Sequence, residues 1–402
     1  MRFGFDPEHD ELRQAVRQLL AQAAGAPDVI AREGQPAASD PRLTARLAQE
    51  IGVYGLAVPT EHGGAGFGTL ELGVVCQEAG RAALGAPLLS VALATDLLLQ
   101  SAPDSSAGDP GAPGPAVGEY LERIAAGDLI ATPAIAEGAS GWDATPTVRA
   151  EPAGRTSENT VGTSENTVGW TLTGTKDWVL DGGQAGLFVV SAAAPDGPAL
   201  FTVEAGTAGV SVIPVETIDI SRRVTRVVLE KARGVRLNGV DVTTAVRHAR
   251  DRGLALLSAD QVGVAQQCLE MATAWAKERE QFGQVIGAFQ AIKHKLASVR
   301  LELEAAEAAC LYALWAARES PEELPAAARI AAYTCGEAAL LAASENIQVH
   351  GGIGATWEHP AHVYLRRATV GRRLLADPQA LLEDLAQRIE DTVFVSTAVP
   401  TL

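Results

Sequence analysis

The chain has 402 residues, enough for two or three packed units, and its 47% apolar and 20% charged residues are typical of a globular protein. Its formal net charge of −17 argues against nucleic acid or an anionic membrane as a partner, because phosphate binding requires clustered Lys and Arg. The composition does not indicate a substrate.

The first unit, residues 1–128, is predicted to be helical. Apolar residues recur at helical spacing over much of residues 10–100. The glycine-rich segment EHGGAGFG at 61–68 does not complete a dinucleotide-binding pattern, so we predict a connecting turn. The composition of residues 101–117, which is rich in Pro, Gly, Ser and Asp, predicts an exposed loop. A short helix around Leu121 is expected to end the first unit.

The second unit, residues 129–245, is predicted to be antiparallel β structure. Runs of β-branched residues separated by turn residues predict strands at 170–180, 187–194, 200–205, 209–216 and 223–237. A perfect tandem heptapeptide, TSENTVG, occupies 156–169 and is interpreted as a lengthened surface hairpin loop. No functional role follows from this repeat.

The third unit, residues 246–402, predicts four long helices with short connections, and therefore an antiparallel bundle. The last of these helices is predicted to begin at Asp377-Pro378, with Asp as the N-cap and Pro as the first helical residue. The whole chain is thus expected to be an α+β protein with a helical unit, a β unit and a four-helix bundle.

Two segments of the third unit carry the strongest chemical signals. In REQFGQVIGAFQAIKHKLA, 279–297, a turn lies between two helices and is flanked by Arg279 and Gln290, which suit a phosphate or a sugar. In IQVHGGIGATWEHPAHVYLRRA, 347–368, Gly351 and Gly352 end an apolar helix and permit close approach to the backbone. Simple helix capping is the alternative interpretation of both segments.

Together these segments closely resemble the acyl-CoA dehydrogenase family, which carries Arg-x-x-Phe-Gly…Gln and Gln-x-x-Gly-Gly stretches in its C-terminal bundle. The order of the three units matches that family over essentially the whole chain. The resemblance implies FAD as the cofactor, with the bundle reaching across a subunit interface to the ADP half of a neighbour's FAD. It assigns that contact to six residues, all present here: Arg279, Phe282, Gln290, Gln348, Gly351 and Gly352.

The flavin-ring half departs from the family pattern. The usual Thr-Glu-Pro-Gly-x-Gly-Ser-Asp stretch reads AEGASGWD at 136–143, and the Trp-Ile-Thr stretch reads Trp178-Val179-Leu180. Three hydroxyl groups are thereby replaced by apolar groups, and each lost partner of a buried polar atom costs about 1–3 kcal/mol. The alternative is that backbone groups and stacking by Trp178 suffice to bind the ring.

The catalytic base of the family is also missing at both of its usual positions. Proton abstraction next to the thioester carbonyl requires a carboxylate within reach of that carbon. Counting from Gln348 places the first position at Leu375, and counting back from Arg279 places the second at Gly253. Asp251 and Asp260 are the remaining candidates for a displaced base, although helix carboxylates usually face solvent.

This pattern resembles the non-catalytic chain of heterotetrameric bacterial acyl-CoA dehydrogenases of steroid and other bulky-acyl catabolism. It implies α,β-desaturation of an acyl-CoA thioester, a related catalytic chain as partner, and electron transfer to an electron-transfer flavoprotein. Two alternatives remain open: a self-sufficient homomeric dehydrogenase or flavin oxygenase-like enzyme with a displaced base, and a flavin-free scaffold.

The remaining features favour a cytoplasmic protein, and the resemblance implies an oligomer. The first residues are charged and lack the apolar core of a signal peptide, and no apolar run is long enough to span a bilayer. The four cysteines are far apart and are interpreted as small buried side chains in a reducing compartment. The scattered histidines do not predict a metal site.

Overall fold

The computed structural model describes residues 4–23, 30, 41–101, 116–143, 145–153, 169–239 and 241–397. The helical first unit is confirmed within these ranges. The predicted loop at 101–117 lies almost entirely outside the described residues. The helices are α1 Pro7–Ala23, α2 Pro41–Arg46 with a π-helical continuation Leu47–Ile51, α3 Thr69–Arg81, α4 Leu88–Gln100 and α5 Ala116–Ala125.

The second unit is a β sheet, as predicted. Among the described residues it has seven strands, in the order β1-β4-β2-β3-β7-β5, with β6 paired to β7. The tandem heptapeptide falls outside the described residues apart from its last glycine. The strands are β1 Ala131–Ala134, β2 Arg149–Pro152, β3 Trp170–Leu180, β4 Leu187–Ala194, β5 Gly197–Glu204, β6 Val210–Val215 and β7 Val224–Leu237.

The sheet is not wholly antiparallel, which corrects one detail of the prediction. β4 pairs in parallel with β1 along its first half and with β2 at Ala193, whereas β3–β7, β4–β5, β5–β7 and β6–β7 are antiparallel. Alternation along a strand reports which face is buried but not the direction of its neighbour. The parallel pairings therefore could not be deduced locally.

The third unit is a bundle of four long helices. A short hairpin of β8 Glu280–Gln281 and β9 Gln284–Val285 joins the first two, and Asp377 caps the last through its bond to the Gln379 N–H at 2.9 Å, as predicted. An additional short helix, α9, was not predicted. The helices are α6 Val242–Glu278, α7 Gln290–Glu319, α8 Leu324–His350, α9 Ala361–Gly371 and α10 Pro378–Thr397.

Apolar packing joins the three units. One large core takes side chains from both helical units and from the sheet face that carries Leu187, Val189 and Leu200. The other sheet face encloses a separate core around Phe188 and Phe201. All four cysteines are buried, as predicted. Within the described part of the chain, no helix has the combination of length and apolarity that crossing a membrane requires.

Candidate functional site

The first motif segment lies at one end of the bundle and is open to solvent. α6 ends at Glu278, and Arg279 turns into an extended conformation that starts the β8–β9 hairpin. Phe282 is at the tip of this hairpin, with a φ of 53° and 91% of its surface exposed. Arg279 and Gln290 are exposed as well. The Phe282 ring is therefore accessible to a ligand or to another chain.

The second motif segment lies beside the first. Gln348 is exposed near the end of α8, and Gly351 ends that helix with a φ of 68°. A Cβ atom added at Gly351 or Gly352 would meet no atom within 4 Å. The backbone is therefore accessible to a ligand, and the positive φ explains the glycine at 351.

Aromatic rings connect the two segments. The Arg279 guanidinium carbon lies 6.0 Å from the Trp275 ring centroid, and the Trp275 ring stacks on that of His350 with the centroids 5.1 Å apart. A small core beneath them contains Ala276 of α6 and Val349 of α8, with Ile292 of α7 packed against it. The structure thus places the two segments that carry the six residues expected to contact ADP side by side at one end of the bundle.

The segments expected to face a flavin ring are hydrogen-bonded to each other. Trp178 lies at a bulge in β3 with a φ of 56°, and its indole N–H donates to the Gly138 carbonyl at 2.9 Å. The Gly138 N–H in turn donates to Asp177 Oδ2 at 3.0 Å, and Arg226 Nε donates to Asp177 Oδ1 at 2.6 Å. These contacts pair the Trp178 indole N–H, the Gly138 backbone and the Asp177 carboxylate within the chain, while 53% of the Trp178 surface stays exposed.

A buried ion pair between Lys176 of β3 and Glu137 lies next to this loop and fixes it to the sheet. Lys176 Nζ lies 2.5 Å from Glu137 Oε1 and also donates to the Ile135 carbonyl at 3.1 Å and to Ser191 Oγ at 2.9 Å. Burial lowers the pKa of Lys176 to about 8, although Glu137 opposes that shift. Sequence inspection missed this anchor because the two residues are 39 positions apart.

A cavity of about 40 Å³ lies where the three units meet, and Leu180 lines it. Its polar wall contains Asp260, which pairs with both Arg222 and Arg367. Burial would raise the pKa of Asp260, but the two guanidinium groups outweigh it and hold that pKa below its usual value. A cavity of this volume has room for water molecules.

The two expected base positions converge in the core. A Cβ atom added at Gly253 would lie 2.8 Å from Leu375 Cδ1 and 2.7 Å from Leu93 Cδ2. Leu375 is 4% exposed and Leu93 is 1% exposed. An apolar contact therefore occupies the place where the resemblance expects a carboxylate, and it leaves no space for a glutamate at 253.

Neither aspartate proposed as a displaced base is solvent-facing, which corrects that expectation. Asp251 is buried and accepts from Arg329 Nη1 at 2.9 Å, and Asp260 is buried between its two arginines. Burial raises the pKa of Asp251, while Arg329 opposes the shift. Both carboxylates are bound to guanidinium groups in the described residues.

The two halves of the site therefore differ in their fit to FAD. The bundle end offers an exposed guanidinium, an amide, an aromatic ring and open glycine backbone, which suit a pyrophosphate and an adenine. The ring half offers Ala136, Trp142 and Leu180 in place of the three expected hydroxyl groups, and its Asp177 and Gly138 are hydrogen-bonded within the chain. The chemistry of the described residues suits the ADP portion of FAD better than its isoalloxazine.

Comparison with known proteins gives the same family as the motifs. The chain matches the family models "Acyl-CoA dehydrogenase, N-terminal domain" over residues 6–104 and "Acyl-CoA dehydrogenase, C-terminal domain" over residues 244–389. It is 31% identical over 384 residues to the acyl-CoA dehydrogenase IpdE2 of Mycobacterium tuberculosis, covering 95% of this chain and 97% of that protein.

Two solved structures are similar over nearly the whole chain. The Tcur3481-Tcur3483 steroid ACAD has 29% identity and a TM-score of 0.81, covering 96% of this chain and 98% of that one. The ChsE4-ChsE5 complex from Mycobacterium tuberculosis has 26% identity and a TM-score of 0.81, covering 100% of both chains.

Proposed function

The chain belongs to the acyl-CoA dehydrogenase family, and on that premise we propose that it is the base-lacking subunit of a two-chain dehydrogenase. In this proposal its bundle end holds the ADP portion of an FAD whose ring lies in a related catalytic chain. That partner also supplies the carboxylate that removes the substrate proton. The expected assembly is an α2β2 heterotetramer.

One observation carries most of this proposal. Gly253 and Leu375, the two positions where the family resemblance expects the base, meet in a buried apolar contact. Arg279, Phe282 and Gln348 are meanwhile exposed at the bundle end, where a partner chain has access to them. A chain whose proposed ADP-binding residues are exposed, and whose expected base positions are apolar and buried, is suited to binding the ADP portion of an FAD in the active site of a partner chain.

The proposed reaction is α,β-desaturation of an acyl-CoA thioester. Bound FAD would supply the hydride acceptor for the β carbon of the substrate, and an electron-transfer flavoprotein is the proposed electron acceptor. Within this chain, Arg279 supplies positive charge for the pyrophosphate, and the glycine backbone at 351 and 352 permits close contact with the nucleotide. Two similar structures, one described as a steroid ACAD and one as a two-protein complex, support a bulky acyl group and a paired chain.

Substitution of Arg279 tests the proposal. The chain is co-expressed with a candidate catalytic acyl-CoA dehydrogenase chain from the same organism, and bound flavin is measured from its visible absorbance. Arg279→Ala removes a charge-assisted contact of about 1.5–3 kcal/mol, so FAD affinity should fall roughly 10- to 100-fold. Arg279→Lys should restore only part of it, because an ammonium lacks the bidentate fork.

Arg300→Ala is the matched control. Arg300 is also exposed on the bundle and pairs with Glu304 at 3.0 Å, so its removal changes the net charge equally without touching the proposed site. We expect unchanged flavin content in that variant. Unchanged flavin in Arg279→Ala would contradict the proposal and favour a flavin-free scaffold. A lone chain that binds FAD and turns over would favour the self-sufficient enzyme.

A further inference from the structure

Trp275 lies one helical turn before Arg279. The Arg279 N–H donates to the Trp275 carbonyl at 2.9 Å, where α6 ends. Residues four apart share one face of a helix, and the Arg279 guanidinium carbon lies 6.0 Å from the indole centroid. This cation–π contact restricts a side chain that is otherwise long, exposed and flexible.

The same indole contacts the second motif segment. Trp275 and His350 have ring planes inclined by 27° and centroids 5.1 Å apart. His350 is the last residue of α8 and directly precedes Gly351. Its Nδ1 lies 2.8 Å from the Asn346 carbonyl, which fixes the plane of the imidazole. The indole therefore links the helix end that carries Arg279 to the helix end that carries the glycine pair.

Packing below the indole holds it in place. Ala272 and Ala276 are 1% and 2% exposed on the same helix, and Val349 is 5% exposed on α8. These three side chains form a small separate core against which Trp275 packs. An aromatic ring has few rotatable bonds, so it offers a rigid surface to a neighbouring cation.

The imidazoles beside the indole have lowered pKa values, which favours their neutral form. Burial lowers the pKa of His350, and burial together with His350 lowers the pKa of His359, whose ring centroid is 4.2 Å from that of His350. A neutral imidazole stacks on an indole without repelling the adjacent guanidinium. The charge of Arg279 thus stays available for an anion.

We propose that Trp275 is a positioning residue, whose indole, stacked on His350, orients the Arg279 guanidinium toward the nucleotide portion of FAD. This inference rests on the proposed function. It adds that the two motif segments act as one unit and that Trp275 makes the connection between them.

A double-mutant cycle on the two-chain assembly tests this inference. FAD affinity is measured by reconstituting the flavin-stripped assembly that carries Trp275→Leu, Arg279→Ala or both. Trp275→Leu should weaken FAD binding about tenfold when Arg279 is present, and less than about twofold when residue 279 is alanine. Trp275→Phe keeps an aromatic face and should retain most of the affinity.

Trp315→Leu is the control for loss of a packed indole. Trp315 stacks on Tyr312 with the centroids 5.8 Å apart on α7. This variant should leave FAD affinity unchanged. Should Trp275→Leu not assemble, His350→Ala removes the stacking partner and should show the same dependence on Arg279.

Equal losses with and without Arg279, or no loss from Trp275→Leu, would overturn the positioning role. If Arg279→Ala itself leaves FAD affinity unchanged, that result contradicts the proposed function, on which this inference rests. The two failures therefore give different results in the same cycle.

Discussion

Asp181 is a buried carboxyl group whose replacement by asparagine should stabilise the protein. It follows β3 with a φ of 53° and accepts from Ser90 Oγ at 2.6 Å. Burial raises the pKa of Asp181 to about 6, and the hydrogen bond from Ser90 and the charge of Arg223 only partly offset that rise. Asparagine keeps the shape and the acceptor, tolerates positive φ, and carries no charge.

The magnitude follows from the pKa difference between the folded and unfolded chains. A rise from 3.8 to about 6 corresponds to about 3 kcal/mol. As pH rises through this window, the unfolded chain ionises first while the folded chain still holds the proton. The free energy of unfolding of the wild type therefore falls between about pH 4 and pH 6 and carries the full penalty above that range.

Urea unfolding of wild type and Asp181→Asn across this pH range checks the prediction. The variant should gain less than about 1 kcal/mol at pH 4 and about 3 kcal/mol at pH 8. Other groups titrate in both proteins, so the difference between them isolates Asp181. A difference independent of pH, or a variant less stable than the wild type at pH 8, would refute the reasoning.

Two further predictions concern the apolar contact at the expected base positions. Gly253→Ala should lower the free energy of unfolding by less than about 2 kcal/mol, since its Cβ meets only side-chain ends of Leu93 and Leu375. Gly263→Ala on the same helix should lower the free energy of unfolding by more than about 3 kcal/mol or prevent folding, because its Cβ would lie 1.9 Å from the Gln77 carbonyl oxygen. Thermal denaturation of the two variants measures the difference. Equal losses of stability in both variants would contradict the prediction. Leu375→Glu buries an unpaired charge, so it should destabilise the chain by about 3 kcal/mol or more. The lone variant should still fail to oxidise an acyl-CoA. A stable variant that oxidises acyl-CoA would contradict the division of the site between two chains.

Local sequence patterns predicted much of the fold. The strands β3 and β4 were predicted with their observed ends because alternating or β-branched runs there are bounded by turn residues. α9 was missed because its residues were interpreted as part of the glycine motif. The partner of each strand depends on packing between distant segments, so the parallel neighbours of β4 were not predictable in this way.

In the candidate site, too, single positions could be predicted from the sequence but contacts between distant residues could not. Counting from Arg279 and Gln348 identified Gly253 and Leu375 separately, and only the fold shows that they touch. Burial of Asp251 was missed because its partner Arg329 lies 78 residues away. The contact between Trp275 and Arg279 could have been predicted, because an aromatic residue one helical turn before the predicted phosphate ligand lies on the same helix face.

Flavin content and turnover of the separate and paired chains test the central claim most directly. The lone chain should purify colourless and fail to oxidise an acyl-CoA. The pair should retain one FAD for each copy of this chain and reduce an electron-transfer flavoprotein. A lone chain that is yellow and oxidises acyl-CoA would contradict the division of the site between two proteins.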